Sequence, residues 1–218
     1  MSLKEELDAY RADFMATIPA ETRGAMERAH TDLVASGVTE HALRAGDKVP
    51  DFHLPEARGG FVCLNDLLAK GPVVLSFYRG GWCPYCNLEL RALQKMLSEM
   101  TELGAELVAI SPQTPDESLS TAEKNELAFP VLSDIGSATA KAFHIAFALA
   151  EELRPIYTRS GHALPDKNAD ESWTLPIPAT YVIDPDSAVA LAFLDVDYRN
   201  RLEPTDVVTV LRALSKGC

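Results

Sequence analysis

At 218 residues, 47% of them hydrophobic and 24% charged, the chain has room for one large α/β domain, or a smaller domain with an appendage. A formal net charge of −12 argues against nucleic acid and anionic membranes as partners, since both select basic surfaces. No run approaches the ~20 apolar residues of a membrane-spanning helix.

The opening Met1-Ser2-Leu3-Lys4-Glu5-Glu6 has neither the apolar core nor the cleavage site of a secretory signal, so a cytoplasmic protein is expected. Leu3, Leu7, Tyr10 and Phe14 recur on one helical face. Pro19 breaks that helix and starts a second, from Ala20 to about Ser36, which Gly37 stops. Residues 1–45 are therefore expected to be a helical arm that packs on the body or on a second subunit, and residues 46–218 to be the main domain. Within that domain, short strands are expected around Phe52-Leu54 and Phe61-Cys63, then a short helix opening at Asn65 or Asp66. Cys63 is expected to be a small buried hydrophobe.

Val73 to Tyr78 is nearly all apolar, as in a central strand covered on both faces. Gly80-Gly81-Trp82-Cys83-Pro84-Tyr85-Cys86 follows, and then a helix with Leu90, Leu93, Leu97 and Met100 on one face. Glu106–Ser111 is a second apolar strand, so strand, helix and strand form a right-handed parallel βαβ unit. Further on, Thr114 to about Asn125 reads as a helix, Val131-Leu132 as a strand and Gly136 to Phe147 as a helix. Glu151 to Tyr157 suggests a turn or two of helix, and Ser160 to Ser172 a loop without period. Two strands, Thr180-Asp184 and Ala188-Leu194, flank the Asp184-Pro185-Asp186-Ser187 turn, and Pro204 to about Lys216 closes the chain as a helix.

The chemistry concentrates at Cys83 and Cys86. Pro84 suits the first position of a helix, which makes Cys83 the N-cap and Cys86 the third helical residue. A thiolate at Cys83 would accept hydrogen bonds from the Tyr85 and Cys86 amides, and the helix N-terminus adds about half a positive charge. Such surroundings lower a thiol pKa from about 8.5 into roughly the 3.5–7.5 range. Residues three apart in a helix hold their Cβ atoms about 5–6 Å apart, so the pair can cycle between dithiol and disulfide with little motion. A structural zinc site needs about four ligands, and the histidines at 30, 41, 53, 144 and 162 are scattered. No metal or cofactor is expected.

These residues resemble a known family. Trp82-Cys83 resembles the start of the thioredoxin site, and Cys83-Pro84-Tyr85-Cys86 the glutaredoxin site. Leu175-Pro176-Ile177-Pro178-Ala179-Thr180 is similar to the thioredoxin-fold segment that carries a cis-proline beside the active cysteines, with Pro178 at that position. Gly46-Asp47-Lys48-Val49-Pro50-Asp51-Phe52, Phe77-Tyr78 and Tyr181-Val182-Ile183-Asp184 resemble the peroxiredoxins of the alkyl hydroperoxide reductase / thiol-specific antioxidant (AhpC/TSA) type. The resemblance covers about residues 46 to 215 and implies a thioredoxin-like fold with a central mixed sheet flanked by helices.

Laid on Phe77-Tyr78, the peroxiredoxin pattern Pro-x-x-x-Thr/Ser-x-x-Cys puts Arg79 on the Pro, Cys83 on the Thr/Ser and Cys86 on the peroxidatic Cys. Glu89 falls on the family's Glu, and the family's activating Arg falls on Pro178. This is similar to the subgroup in which a Cys-x-x-Cys replaces the usual site. Arg79 would supply positive charge in place of the missing groups, or else form a surface salt bridge. The capping argument makes Cys83 the nucleophile, whereas the alignment makes it Cys86.

The resemblance implies a hydroperoxide substrate and a thioredoxin- or glutathione-type reductant. Thiol–disulfide exchange on proteins and a non-catalytic redox sensor are the alternatives. A homodimer is compatible with all three. Cys218 is expected to lie in a frayed tail.

Overall fold

In the computed structural model, which describes residues 1–216, a five-stranded mixed sheet forms the centre in the order β5-β4-β3-β8-β9. Its strands are β3 (Val73–Phe77), β4 (Glu106–Ser111), β5 (Val131–Ser133), β8 (Ala179–Ile183) and β9 (Val189–Leu194). β3 pairs parallel with β4 and antiparallel with β8. Every residue of β3 is buried, which accounts for its unbroken apolar run.

Alternation along the strands splits the core into two layers. Val74, Leu107, Ala109 and Val182 face one side. There they meet α4 (Pro84–Glu102), through Leu90, Leu93 and Met100, and α9 (Pro204–Ser215), through Val207, Val208 and Leu211. Leu75, Phe77, Val108, Ile110 and Tyr181 face the other, over α3 (Leu64–Leu68) and α6 (Ala138–Ala142). The β8–β9 turn is held by Asp184, whose Oδ1 accepts from the amides of Asp186 and Ala188, both at 2.9 Å.

The arm packs on the body. Ser2 caps α1 (Leu3–Thr17) with a reciprocal capping box through Glu5. Leu3 and Leu7 join the α4 layer, and Tyr10 meets Tyr85 edge-on at 5.1 Å. α2 (Ala20–Ala35) sets Ala25 and Ala29 against Leu149 and Leu153.

The structure departs from the sequence expectations in three places. The helix expected over Gly136 to Phe147 is only α6, with a 3-10 turn before it. Left-handed backbone at Gly136 (φ 77°), Ser137 (φ 59°) and His144 (φ 56°) ends the helix on both sides. Beyond it, β6 (Ala146–Ala148) pairs antiparallel with β7 (Thr174–Pro176). Between these two strands, α7 (Arg154–Arg159) falls where a turn or two of helix is expected, but the stretch expected to lack period carries α8 (Leu164–Asn168), with Leu164 fully buried. Finally, β1 (His53–Pro55) and β2 (Phe61–Cys63) pair as a hairpin where the two strands are expected, but Cys63 differs. Cys63 is half-buried there rather than core, and Phe61 is exposed and stacked on His53.

Candidate functional site: a buried dithiol between two arginines

The site forms where β3 hands over to α4. Tyr78 and Arg79 follow the strand, and the chain turns through Gly80 and Gly81 into the helix. Gly80 has φ +147°, and a Cβ there would come 2.3 Å from Trp82 Nε1. A Cβ on Gly81 would come 2.1 Å from Thr121 Oγ1. Only glycine fits either place, which explains the pair. Two amide side chains latch the turn. Gln113 Oε1 accepts from the Gly81 amide at 2.7 Å, and Asn87 Nδ2 donates to the Gly81 carbonyl at 2.9 Å. Asn125 in turn donates to Asn87 Oδ1 at 3.0 Å. Neither Gln113 nor Asn87 was singled out from the sequence, because each acts on backbone brought to it by folding.

Cys83 is the N-cap of α4 and Pro84 its first residue, as the spacing predicts. Its sulfur, however, closes no full capping hydrogen bond. The Cys86 amide is only the smallest of the influences that lower its pKa. Both sulfurs are buried, at 1% exposure for Cys83 and 0% for Cys86. Burial alone would raise the Cys83 pKa. A hydrogen bond from the Cys86 thiol and the charges of Arg79 and Arg201 outweigh it and bring Cys83 down to about 6. Cys86 moves the other way, raised by burial and by its bond to the neighbouring sulfur. Within the pair these influences favour ionisation of Cys83 over Cys86.

The two guanidiniums reach the sulfurs from different parts of the chain. Arg79 is 3% exposed and makes no salt bridge among the described residues, so the surface ion pair considered above does not form. Its guanidinium lies 4.2 Å from the Tyr198 ring centroid, 5.1 Å from Trp82 and 5.8 Å from Tyr157, and it donates to the Tyr157 hydroxyl. Trp82 is clasped between Tyr157 and His162, each with its centroid at 5.5 Å. Arg201 comes from the loop between β9 and α9. Its Nη2 donates to Cys86 Sγ at 3.4 Å and its Nε to Glu89 Oε2 at 2.7 Å. Glu89 also accepts from Thr180 Oγ1 at 3.4 Å. Burial, opposed by Arg201, holds the Glu89 pKa up at about 7.

Thus Arg79, Trp82, Cys83, Cys86 and Glu89 gather at one place. Pro178 is buried between β7 and β8, but no peptide bond among the described residues is cis, so the expected cis-proline is not present. Cys218 lies outside the described residues. Arg201 and Tyr198 were missed from the sequence: they follow the last strand by a few residues, with no local pattern to mark them. No three His, Cys, Asp or Glu side chains group as metal ligands among the described residues, and no helix there is long and apolar enough to cross a membrane.

A mixed sheet with a Cys-x-x-Cys at the helix start after its central strand defines a thiol-redox protein of the thioredoxin-like class. The AhpC/TSA family model matches residues 45–192. The chain belongs to the AhpC/TSA family and is a peroxiredoxin-like protein. A putative peroxiredoxin of Mycobacterium tuberculosis is 33% identical over 114 residues, 52% of this chain and 74% of its own length. The thiol-disulfide oxidoreductase ResA of Halalkalibacterium halodurans is 31% identical over 103 residues, 47% of this chain and 57% of that protein. The crystal structure of peroxidoxin BcpB from M. tuberculosis superposes with a TM-score of 0.62 at 27% identity, covering 79% of this chain and 98% of that one.

Proposed function

We propose that the chain is a thiol-dependent peroxidase in which Cys83 attacks a hydroperoxide and Cys86 resolves the product. The observation that supports this most is the buried dithiol with Arg79 and Arg201 beside it, whose charges favour the thiolate of Cys83. A thiolate at neutral pH is the nucleophile that peroxide cleavage requires. The Cys83 sulfur attacks the outer peroxide oxygen, the O–O bond breaks, and the alkoxide leaves as alcohol after taking up a proton. This forms a sulfenic acid on Cys83. The Cys86 thiol then attacks that sulfur: an S–S bond forms, and the hydroxyl leaves with the thiol proton as water. A thioredoxin-type dithiol returns two electrons to restore the pair. The Arg201 bond to Cys86 steadies negative charge on that sulfur as its proton departs.

Rapid-mixing measurement of peroxide consumption by the native protein, Cys83→Ser and Cys86→Ser tests the reading. Cys86→Ser should consume one equivalent of peroxide and stop at a sulfenic acid that a dimedone-type trap captures. Cys83→Ser should react no faster than a free thiol. If Cys83→Ser retains the native rate, the attacking sulfur is Cys86. If peroxide oxidises the native pair no faster than a free thiol, peroxidase activity fails. The likeness to ResA favours disulfide exchange as the second reading. Reduction of insulin without turnover of peroxide would establish it.

A further inference from the structure

We propose that the cavity between the N-terminal helices and the body binds a monocarboxylate with an apolar chain, its carboxylate seated on Arg79. The cavity holds about 680 Å³, within the range of sites for small molecules. Met15, Ile18 and Met26 of the arm line one side, and Phe147 and Leu153 of the body line the other. Arg79, Tyr157 and Tyr198 also line it, and neither cysteine does.

Arg79 carries the argument. It is buried, its Nε has no hydrogen-bond partner, and no carboxylate reaches it among the described residues. Three acids line the same cavity, Glu27, Asp32 and Asp197; none of them pairs with Arg79, and Asp197 is already held by Arg199 through bonds of 2.6 and 2.9 Å. Among the described residues its charge is met by the dithiol alone, and its planar fork fits a carboxylate. The apolar walls disfavour a compact hydrated anion such as phosphate, and the arginine disfavours a neutral lipid. Met15, Ile18, Met26 and Tyr198 lie outside residues 45–192, so the cavity is built largely by segments beyond the family match. The inference is independent of whether the dithiol turns over peroxide.

Titration of the full chain with decanoate, followed by calorimetry and by tryptophan emission from Trp82 beside Arg79, tests it. Saturable binding is expected, at least about tenfold tighter than for decanol, with none for inorganic phosphate. Arg79→Met should weaken decanoate by at least about tenfold, while Arg79→Lys keeps part of the affinity. Met26→Trp fills the apolar end and should weaken decanoate while leaving the alkylation profile of Cys83 unchanged. If Arg79→Met does not fold, Arg79→Lys, Met26→Trp and the decanol comparison still decide. Equal affinities for decanoate and decanol, undiminished binding by Met26→Trp, or no saturable binding by the native protein each overturn the proposal.

Discussion

Arg79 and Arg201 bring the same charge to the same dithiol from opposite surroundings. Arg201 is buried with a carboxylate, Glu89, the two side chains being 1% and 3% exposed. Arg79 is buried among aromatic rings and the sulfurs, without a carboxylate. A guanidinium neutralised by a carboxylate acts as a hydrogen-bond donor and a clamp. One without a carboxylate lends its full charge to the nearest anion. Consistent with this, Arg79 precedes Arg201 among the charges that lower the Cys83 pKa. Arg201, for its part, is the one that hydrogen-bonds Cys86. The first is an electrostatic partner for the thiolate and the second a structural one.

The largest effect should come from breaking the paired side. Arg201→Met leaves Glu89 buried without its partner, and breaking a buried pair costs about 3–5 kcal/mol. Urea denaturation should show that loss, with part recovered in the Arg201→Met/Glu89→Gln double variant. Equal losses in the single and double variants would show that the pair is not what Arg201 contributes.

The pH dependence of stability separates the two sides next. Cys83 titrates at about 6 when folded, below the ~8.5 of an unfolded thiol. Its contribution is therefore full above ~8.5 and lost as pH falls through 6. Glu89 titrates at about 7 when folded, above the ~4.3 of an unfolded glutamate. Its contribution is full below ~4.3 and lost as pH rises through 7. Together they make stability fall from about pH 4.3 to 6, stay level to 7 and rise to ~8.5, with limbs of about 1.4 kcal/mol per pH unit. Denaturation curves across this range should show both limbs. Glu89→Gln should remove the falling limb and Cys83→Ser the rising one.

The unpaired side should respond in reactivity more than in stability. In the native protein, alkylation of the dithiol should rise through about pH 6. Arg79→Met should move that midpoint up by about one pH unit or more, slowing alkylation at pH 6 by at least about fivefold. An unmoved midpoint would leave the charge with Arg201 alone. The smallest change is Tyr198→Leu, which removes the ring nearest Arg79 and should cost about 0.5–2 kcal/mol by thermal denaturation.

How far the site could be read from sequence follows the same division. Cys83, Pro84 and Cys86 declare their geometry locally, since a proline between two cysteines at a strand-to-helix junction sets the cap. Glu89 was reached through the family pattern. Arg79 could be seen as a charge near the pair, but not as a buried one, because its burial depends on Tyr157 and Tyr198 arriving from far along the chain. Arg201 could not be seen at all, 115 residues from Cys86. The β6–β7 pairing was missed for a like reason. A three-residue strand has no period to show, and its partner lies beyond two short helices.

The sequence by itself therefore determined the buried central strands, the amphipathic helices and the place of the redox pair, because periodicity, glycine and proline act through nearest neighbours. Tertiary structure alone decided which sulfur is favoured to ionise, since that depends on Arg79, Arg201 and Glu89 being brought to the dithiol in a dry interior. There burial magnifies every charge, so the neighbours that folding supplies, not the local motif, bias which thiol ionises.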